Sequence, residues 1–320
     1  MKKTYLYVII STFLFSSMEI SLKMAGGSFS GIQLNFLRFL VGGISLLPFA
    51  LHALSREHQR IHLKDMGLFA FTGLIAVVVS MSFYQVAVEV DKASTVAVVF
   101  SANPIFALIF SYLILKETLS RSNLIAVIVS IVGLLIIVNP THLTDPLGLS
   151  LSIIAALTFG LYSIISRWGS MRHHFNGLTM TSFTFIFGAI ELAILMGISH
   201  IQSIATSLLQ NPKLSEFANI PYFSGITSNN AFLLLYICLG VTAGGFGFYF
   251  LAMETSNVST ASLVFFIKPA LAPILALLIL HEKITLSTWL GIIVIVIGSM
   301  IMFIGDRFAN QDNPMPHAHH

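Results

Sequence analysis

Charged residues are scarce in this sequence: Asp, Glu, Lys and Arg make up 9% of the 320 residues, whereas hydrophobic residues make up 56%. A soluble domain of average composition carries about 25% charged residues. A chain with so few charges would expose large apolar areas in water. The shortage of charge therefore excludes an ordinary soluble protein and predicts a protein that folds in a lipid bilayer.

Cysteine is almost absent, since Cys238 is the single example. One cysteine cannot form an internal disulfide or build a zinc site from thiolates. The sequence also lacks the His-Glu-x-x-His motif of zinc hydrolases and the Gly-x-Ser-x-Gly elbow of serine hydrolases. We therefore predict no metal site, no cofactor and no enzymatic activity.

Basic residues form no run or stripe, although the net charge is +3. A nucleic-acid-binding protein needs a clustered basic surface, so the pattern excludes nucleic acid as a partner. Lys and Arg are instead scattered through short connections between apolar stretches. That distribution is typical of a membrane protein, whose cytoplasmic loops carry an excess of Lys and Arg.

Ten apolar stretches approach the roughly 20 residues that a spanning helix needs. They cover 4–25, 31–53, 65–88, 93–115, 121–139, 147–168, 175–199, 229–253, 258–280 and 286–305. The connection 200–229 is longer than the others, and its first part predicts a short helix on the membrane surface. Residues 306–320 are predicted to be a disordered tail.

The distribution of Lys and Arg predicts the orientation of the chain. With the N-terminus inside, the inner regions hold ten Lys and Arg residues and the outer loops hold four. Since positive charge is retained on the cytoplasmic side, both termini are predicted to be cytoplasmic in a multi-pass protein of the cell inner membrane. The connection 200–229 would then face outward.

An internal repeat is the strongest pattern in the sequence. Residues 83–138 and 248–303 align without gaps, and 20 of the 56 positions are identical. Tyr84, Pro104 and Glu117 return 165 residues later as tyrosine, proline and glutamate. Because each copy holds five helices, an odd number, the second copy enters the membrane from the opposite side. We expect an all-α membrane protein with ten transmembrane helices, as two inverted five-helix repeats over 4–139 and 147–305.

Several motifs resemble those of a known transporter family. The first copy contains Leu37-Arg38-Phe39, Ala93-Ser94-Thr95, Pro104 and Leu115-Lys116-Glu117, and the second contains Val258-Ser259-Thr260, Pro269 and Leu280-His281-Glu282. Over 4–305 the chain resembles the EamA type of the drug/metabolite transporter superfamily. The resemblance implies a ten-helix secondary transporter, often an exporter of amino acids or other small metabolites.

Two polar residues precede the repeated prolines in the middle of predicted helices. Lys268 precedes Pro269, and Asn103 occupies the equivalent position before Pro104. A charged group at membrane depth costs at least about 2.5–3.5 kcal/mol, so Lys268 needs a purpose. It could bind a carboxylate or phosphate of the cargo, carry a proton, or pair with a structural glutamate. Asn103 could contact cargo or hydrogen-bond a neighbouring helix.

Glu19 and Arg38 are predicted to lie at a similar depth, roughly 10 Å from the outer ends of the first two helices. They could form a structural ion pair, or Glu19 could couple transport to a proton gradient. Tyr84, Gln85 and Tyr249 are further candidates for cargo contact, although tyrosines also anchor helices at membrane interfaces. We expect a central cavity lined by helices one, three, four, six, eight and nine.

The resulting hypothesis is a secondary transporter that moves a small organic metabolite, such as an amino-acid-like solute or drug, across the cytoplasmic membrane by alternating access. The resemblance favours export, and Glu19 suggests proton coupling. The alternatives are a passive channel and an uptake carrier for a nucleotide-like metabolite such as S-adenosylmethionine. The sequence leaves open whether the protein is a monomer or a dimer.

Overall fold

A computed structural model describes residues 2–116, 121–138, 146–211, 214–255 and 263–312. Within these ranges the regular structure is entirely helical, with no β-strand. Glu117, the motif Val258-Ser259-Thr260 and residues 313–320 lie outside the described residues.

Ten long helices follow one another along the described chain. They are α1 (Lys3–Ala25), α2 (Gly31–Arg56), α3 (Leu63–Val90), α4 (Ala93–Leu115), α5 (Arg121–Val138), α6 (Pro146–His173), α7 (Gly177–Ser199), α8 (Ser228–Met253), α9 (Leu263–Ile279) and α10 (Leu286–Asp312). A short helix, Gln202–Leu209, lies in the long connection between α7 and α8, as predicted. Because α10 extends to Asp312, residues 306–312 are helical, which corrects the tail predicted from residue 306.

Seven of these helices, α1–α4 and α6–α8, are long and apolar enough to cross a membrane. Their apolar lengths exceed the roughly 30 Å hydrocarbon core of a bilayer. The apolar parts of α5, α9 and α10 are shorter, at Leu124–Ile137, Ile267–Ile279 and Leu286–Ile301. The chain is therefore a multi-pass membrane protein, and the count of ten spans stays a prediction.

The packing of the helices repeats between the two halves of the chain. Helix α5 packs along α10, and α2 packs along α7, so the fifth and second helices of each half contact their counterparts. Helix α1 packs against α8 and α9, and α6 packs reciprocally against α3 and α4. The first helix of each half thus completes the other half, as expected for a duplicated unit.

Helices α3 and α8 each contain a π-helical segment, and the two segments lie at nearly equivalent repeat positions. The segments are Leu74–Ser80 in α3 and Tyr236–Gly244 in α8, which overlap when the first is shifted by the 165-residue repeat. In the first, Asn35 Nδ2 donates a hydrogen bond to the carbonyl of Val77 over 3.0 Å. Such insertions are frequent at functional sites because they shift the helical register locally.

Helix α4 is interrupted in its middle. It consists of Ala93–Phe100 and Asn103–Phe110, followed by a π-helical turn. Pro104 has no N–H, so the carbonyl of Phe100 loses its helical donor. Asn103 Nδ2 donates to that carbonyl over 2.8 Å. The Asn-Pro pair therefore opens the helix and satisfies the carbonyl that the opening frees.

The connections 26–30, 91–92 and 280–285, with the described parts 200–211 and 214–227 of the long connection, lie together at the face opposite the start of α1, which we call the distal face. Lys23 Nζ donates to the carbonyls of Val88 and Asp91. Gln33 Nε2 donates to the carbonyl of Ser224 over 2.7 Å. In the predicted orientation the distal face is the outer one.

Candidate functional site

A central cavity lies where the two halves meet. Its lining residues are Phe15, Met18, Arg38, Phe39, Ala76, Met81, Phe100, Ser101, Asn103, Phe159, Phe185, Val241, Thr242, Phe246, Phe265 and Lys268. These residues come from the six predicted helices and also from α2 and α7, which the sequence-based expectation omitted. The free volume is about 60 Å³. Because pockets for organic ligands hold roughly 300–1,000 Å³, the structure represents a closed conformation.

Phenylalanines form most of the cavity wall. Seven of them line it: Phe15, Phe39, Phe100, Phe159, Phe185, Phe246 and Phe265. The rings of Phe39 and Phe185 lie 4.6 Å apart, and those of Phe185 and Phe246 lie 5.0 Å apart, both edge to face. This arrangement is favourable for aromatic pairs and leaves a surface that suits planar apolar groups. This wall could not be predicted, because the 27 phenylalanines of the sequence occur throughout the apolar helices.

Lys268 and Glu19 form a buried ion pair beside this wall. Lys268 Nζ lies 2.8 Å from Glu19 Oε1, and the two side chains are 5% and 0% exposed. The same ammonium lies 5.3 Å from the ring centroid of Phe100, within cation–π range. Glu19 Oε2 is buried and has no hydrogen-bond partner among the described residues. The hydroxyl of Tyr84 also interacts with this carboxylate, so Glu19 is held by one charged and one neutral neighbour.

Arg38 is not the ion-pair partner of Glu19, although such a pair was one of the two alternatives predicted for these residues. Its Nε donates to Asn35 Oδ1 over 3.1 Å, and its terminal nitrogens approach the sulfurs of Met18 and Met81. Its guanidinium also lies 4.5 Å above the ring of Phe39. The physical reason is that α1 packs against α9, which brings Lys268 to Glu19, while Asn35 holds Arg38 one turn along its own helix.

Among the described residues at the cavity, positive charges outnumber negative ones. Arg38 and Lys268 both line the cavity, and Glu19 neutralises Lys268. The groups in contact with Arg38 in the described part of the chain are a neutral amide, thioether sulfurs and an aromatic ring, and Glu19 acts on it only through longer-range electrostatics. Thioethers are weak acceptors, so the guanidinium keeps most of its capacity to bind an anion.

Two predicted cargo residues lie close to this pair. Asn103 lines the cavity, with its amide donating to the carbonyl of Phe100 as described above. Tyr84 is fully buried behind the wall, and its ring centroid lies 4.6 Å from that of Phe100. Its hydroxyl interacts with Glu19 but has no partner in regular hydrogen-bond geometry among the described residues. Tyr84 thus supports the wall and the ion pair without lining the cavity.

Gln85 and Tyr249, the other two predicted cargo contacts, are not among the residues that line this cavity. Gln85 Nε2 points toward the distal face and contacts Glu89 Oε1 over 3.4 Å. The ring centroid of Tyr249 lies 5.2 Å from that of Phe265. Consecutive residues of one helix point in different directions, and sequence position alone did not reveal which side faces the cavity.

The fold and cavity define a multi-pass membrane protein with two matching helical halves around a central polar and aromatic site. The family model of the EamA-like transporter family matches the chain twice, over residues 2–139 and 146–304. The chain belongs to this family. It is a transporter of the type that the repeated motifs suggested.

Relatives of known name agree with this assignment. An uncharacterized transporter of Clostridium kluyveri is 35% identical over 97% of this chain and 96% of its own length. A protein of Rickettsia prowazekii named as an S-adenosylmethionine uptake transporter is 25% identical over 95% of each chain. A solved crystal structure matches with a TM-score of 0.63 and 16% identity, covering 96% of this chain and 99% of its own, which shows the shared fold.

Proposed function

We propose that the protein is a secondary transporter whose cargo is a small organic molecule with an anionic group and a planar or apolar body. The observation that carries this proposal is the pair of cations, Arg38 and Lys268, in a cavity walled by phenylalanines. A carboxylate or phosphate of the cargo would bind the cations through charge-assisted hydrogen bonds. The remainder of the cargo would pack against the aromatic rings.

The Lys268–Glu19 pair would couple cargo to protons. An anionic cargo that binds Lys268 competes with Glu19 for the same ammonium group. A buried carboxylate without its counter-charge is costly, so Glu19 would take up a proton when the cargo binds and release it when the cargo leaves. Because proton and cargo bind and leave together, they would cross the membrane in the same direction, and an outward gradient of cargo would carry protons out during export.

The closed cavity favours alternating access over a permanently open channel. A volume of about 60 Å³ cannot hold a metabolite, so helices must separate before cargo binds. The interruption of α4 and the π-helical segments of α3 and α8 lie around the cavity and supply points where helices can bend. We propose export across the cytoplasmic membrane, with both termini inside.

Uptake of S-adenosylmethionine is a second candidate function, favoured by the Rickettsia relative. This molecule carries a carboxylate, a planar adenine and a positive sulfonium. The carboxylate would bind Lys268 or Arg38, adenine would stack on phenylalanine, and the sulfonium would lie over an aromatic face. The Phe-lined wall suits this cargo as well as an aromatic amino acid.

A thermal-stability screen of the purified protein tests both candidates, because a ligand that binds the folded state raises the unfolding temperature. The panel contains aromatic and aliphatic amino acids, S-adenosylmethionine and nucleotides. We expect one class to stabilise the protein and Lys268→Gln to abolish that shift. Lys64→Ala, an exposed change outside the cavity, serves as the matched control. A shift that persists in Lys268→Gln contradicts the proposed site.

Transport in proteoliposomes then distinguishes the mechanisms. An alternating-access carrier shows counterflow, in which unlabelled cargo inside accelerates accumulation of labelled cargo, whereas a channel does not. We expect an imposed pH gradient to drive accumulation in the native protein and not in Glu19→Gln. Accumulation by Glu19→Gln under the same gradient would assign proton coupling to another group.

A further inference from the structure

The distal end of α4 is held by a carboxylate from the other half of the chain. Glu282 lies in the connection between α9 and α10. Its Oε1 accepts a hydrogen bond from the amide of Ala93 over 2.8 Å, and its Oε2 accepts from the amide of Ser94 over 3.0 Å. The hydroxyl of Ser94 donates to the same Oε2 over 2.6 Å. Lys92 Nζ also donates to the carbonyl of Lys283, over 3.1 Å.

Helix α4 has no cap of its own at this end. Lys92 occupies the capping position and makes no side-chain bond to the first turn. By contrast, α2 and α7 are capped by their own Ser30 and Asn176. The free amides and the positive end of the helix dipole therefore depend on Glu282. Within the described residues, losing this carboxylate would leave the amides of Ala93 and Ser94 without their hydrogen-bond acceptor.

These contacts lie on the distal side of the ion pair, where α4 meets the connection that follows α9. Below them, Ile20, Ala93 and Ala276 pack together in a buried apolar plug between α1, α4 and α9. One residue before Ile20, Glu19 contacts Lys268. Any route from the distal face to Lys268 between these helices must part α4 from α9 and thus break the contacts of Glu282.

We propose that Glu282, the amides of Ala93 and Ser94, and the Ser94 hydroxyl form a distal clasp, which closes the cargo pathway at the distal face and breaks in each transport cycle. Because α4 belongs to the first half and Glu282 to the second, the clasp joins the parts that alternating access must separate. Its carboxylate and helix end can both be hydrated when apart, so the contact can form and break reversibly. This inference rests on the proposed function for its role in transport.

The labelling rate of an introduced cysteine measures how readily the distal face opens, and the measurement needs no cargo. In a Cys238→Ser background, Ala276→Cys places one thiol beneath the clasp, and a membrane-impermeant maleimide is added from the distal side in oriented vesicles. We expect Glu282→Gln to increase the labelling rate about tenfold, because charge-assisted bonds to the helix end are lost. Ser94→Ala removes one hydroxyl contact and is expected to increase it about threefold.

Thr285→Ala is the matched control. Thr285 lies in the same connection, but its hydroxyl contacts Ser287 and Thr288 of its own half. We expect this variant to be labelled at the rate of the unsubstituted clasp. Wild-type labelling of both Glu282→Gln and Ser94→Ala overturns the clasp, and Ser94→Ala decides alone if Glu282→Gln does not fold. Faster labelling without a response to any cargo of the panel instead overturns the proposed cargo class and supports the clasp.

Discussion

At the scale of single residues, the energetics of the Lys268–Glu19 pair follow from its burial. Two charges at 2.8 Å in the interior compensate each other, whereas one of them alone would be buried without a counter-charge. Breaking a buried ion pair by removing one member typically costs about 3–5 kcal/mol, and replacing both by apolar groups is often nearly neutral. The pair should therefore behave as one unit in stability measurements.

Glu19→Leu should lower the free energy of unfolding by about 3 kcal/mol, since Lys268 is left unpaired. The double variant Glu19→Leu with Lys268→Met should recover most of that loss. Unfolding in mixed detergent measures both effects in a double-mutant cycle. Additive losses in the double variant would show that the two side chains do not stabilise each other.

Sequence reasoning identified some of these residues and missed others for physical reasons. Lys268 and Asn103 were predictable because a polar group before a proline in an apolar helix is unusual. The partner of Glu19 was not, because helical depth gives no information on which helices are neighbours. The phenylalanine wall was equally hidden, since an apolar residue has the same favourable energy facing lipid or the cavity.

At the scale of helices, the interruption of α4 should lower the free energy of unfolding and help the helix to bend during transport. Pro104→Ala restores an amide that can donate to the carbonyl of Phe100. We expect the free energy of unfolding to rise by about 1–2 kcal/mol and the transport rate to fall, because a continuous α4 bends less easily. Unfolding and counterflow measurements on one preparation test both effects.

Pro146→Ala is the control for that substitution. Pro146 is the first residue of α6, where the missing amide has no helical acceptor. We expect its stability and transport to stay near those of the native protein. An equal change in both variants would attribute the effect to a general loss of proline rigidity and not to the break in α4.

Close packing of α5 against α10 depends on glycines. A Cβ atom at Gly133 would lie 2.8 Å from Ile295 Cγ1 and 3.1 Å from the carbonyl of Gly291. Gly133→Leu should therefore separate the two helices and lower the unfolding temperature, with a loss of about 2–3 kcal/mol from overpacking. Gly67→Leu is the control, because a Cβ there meets no atom within 4 Å. Equal stability of the two variants would contradict this interface.

The helices themselves were largely predictable, and their interruptions were less so. All ten predicted segments correspond to helices, although α6 and α10 continue past the predicted ends at 168 and 305, to His173 and Asp312. Hydropathy sets those ends, because every backbone group in lipid must be hydrogen-bonded within a helix. The π-helical segments at Leu74–Ser80 and Tyr236–Gly244 carry no such signal, since they arise from packing between helices.

At the scale of the whole molecule, the internal repeat predicted more of the architecture than hydropathy did. The repeat predicted two halves of like structure, and the reciprocal packing of α1 with α8 and α9 and of α6 with α3 and α4 agrees with that prediction. Hydropathy alone establishes seven helices that can span, because α5, α9 and α10 have short apolar parts. If those three also cross, the number of crossings is even and both termini share one face.

Labelling of single cysteines in intact cells tests the orientation and the number of spans together. In a Cys238→Ser background, Gln202→Cys places an exposed thiol on the distal face, and Glu57→Cys places one at the opposite face, in the connection between α2 and α3. The excess of Lys and Arg on the side of Glu57 predicts that an impermeant maleimide labels Gln202→Cys in intact cells and labels Glu57→Cys only after lysis. The opposite pattern would reverse the orientation and make the distal clasp a cytoplasmic gate. A third cysteine, which replaces Thr285 between α9 and α10, should be labelled like the one at Gln202 if the short helices α5 and α9 both cross the membrane. If only one of them crosses, the cysteine at position 285 would lie inside.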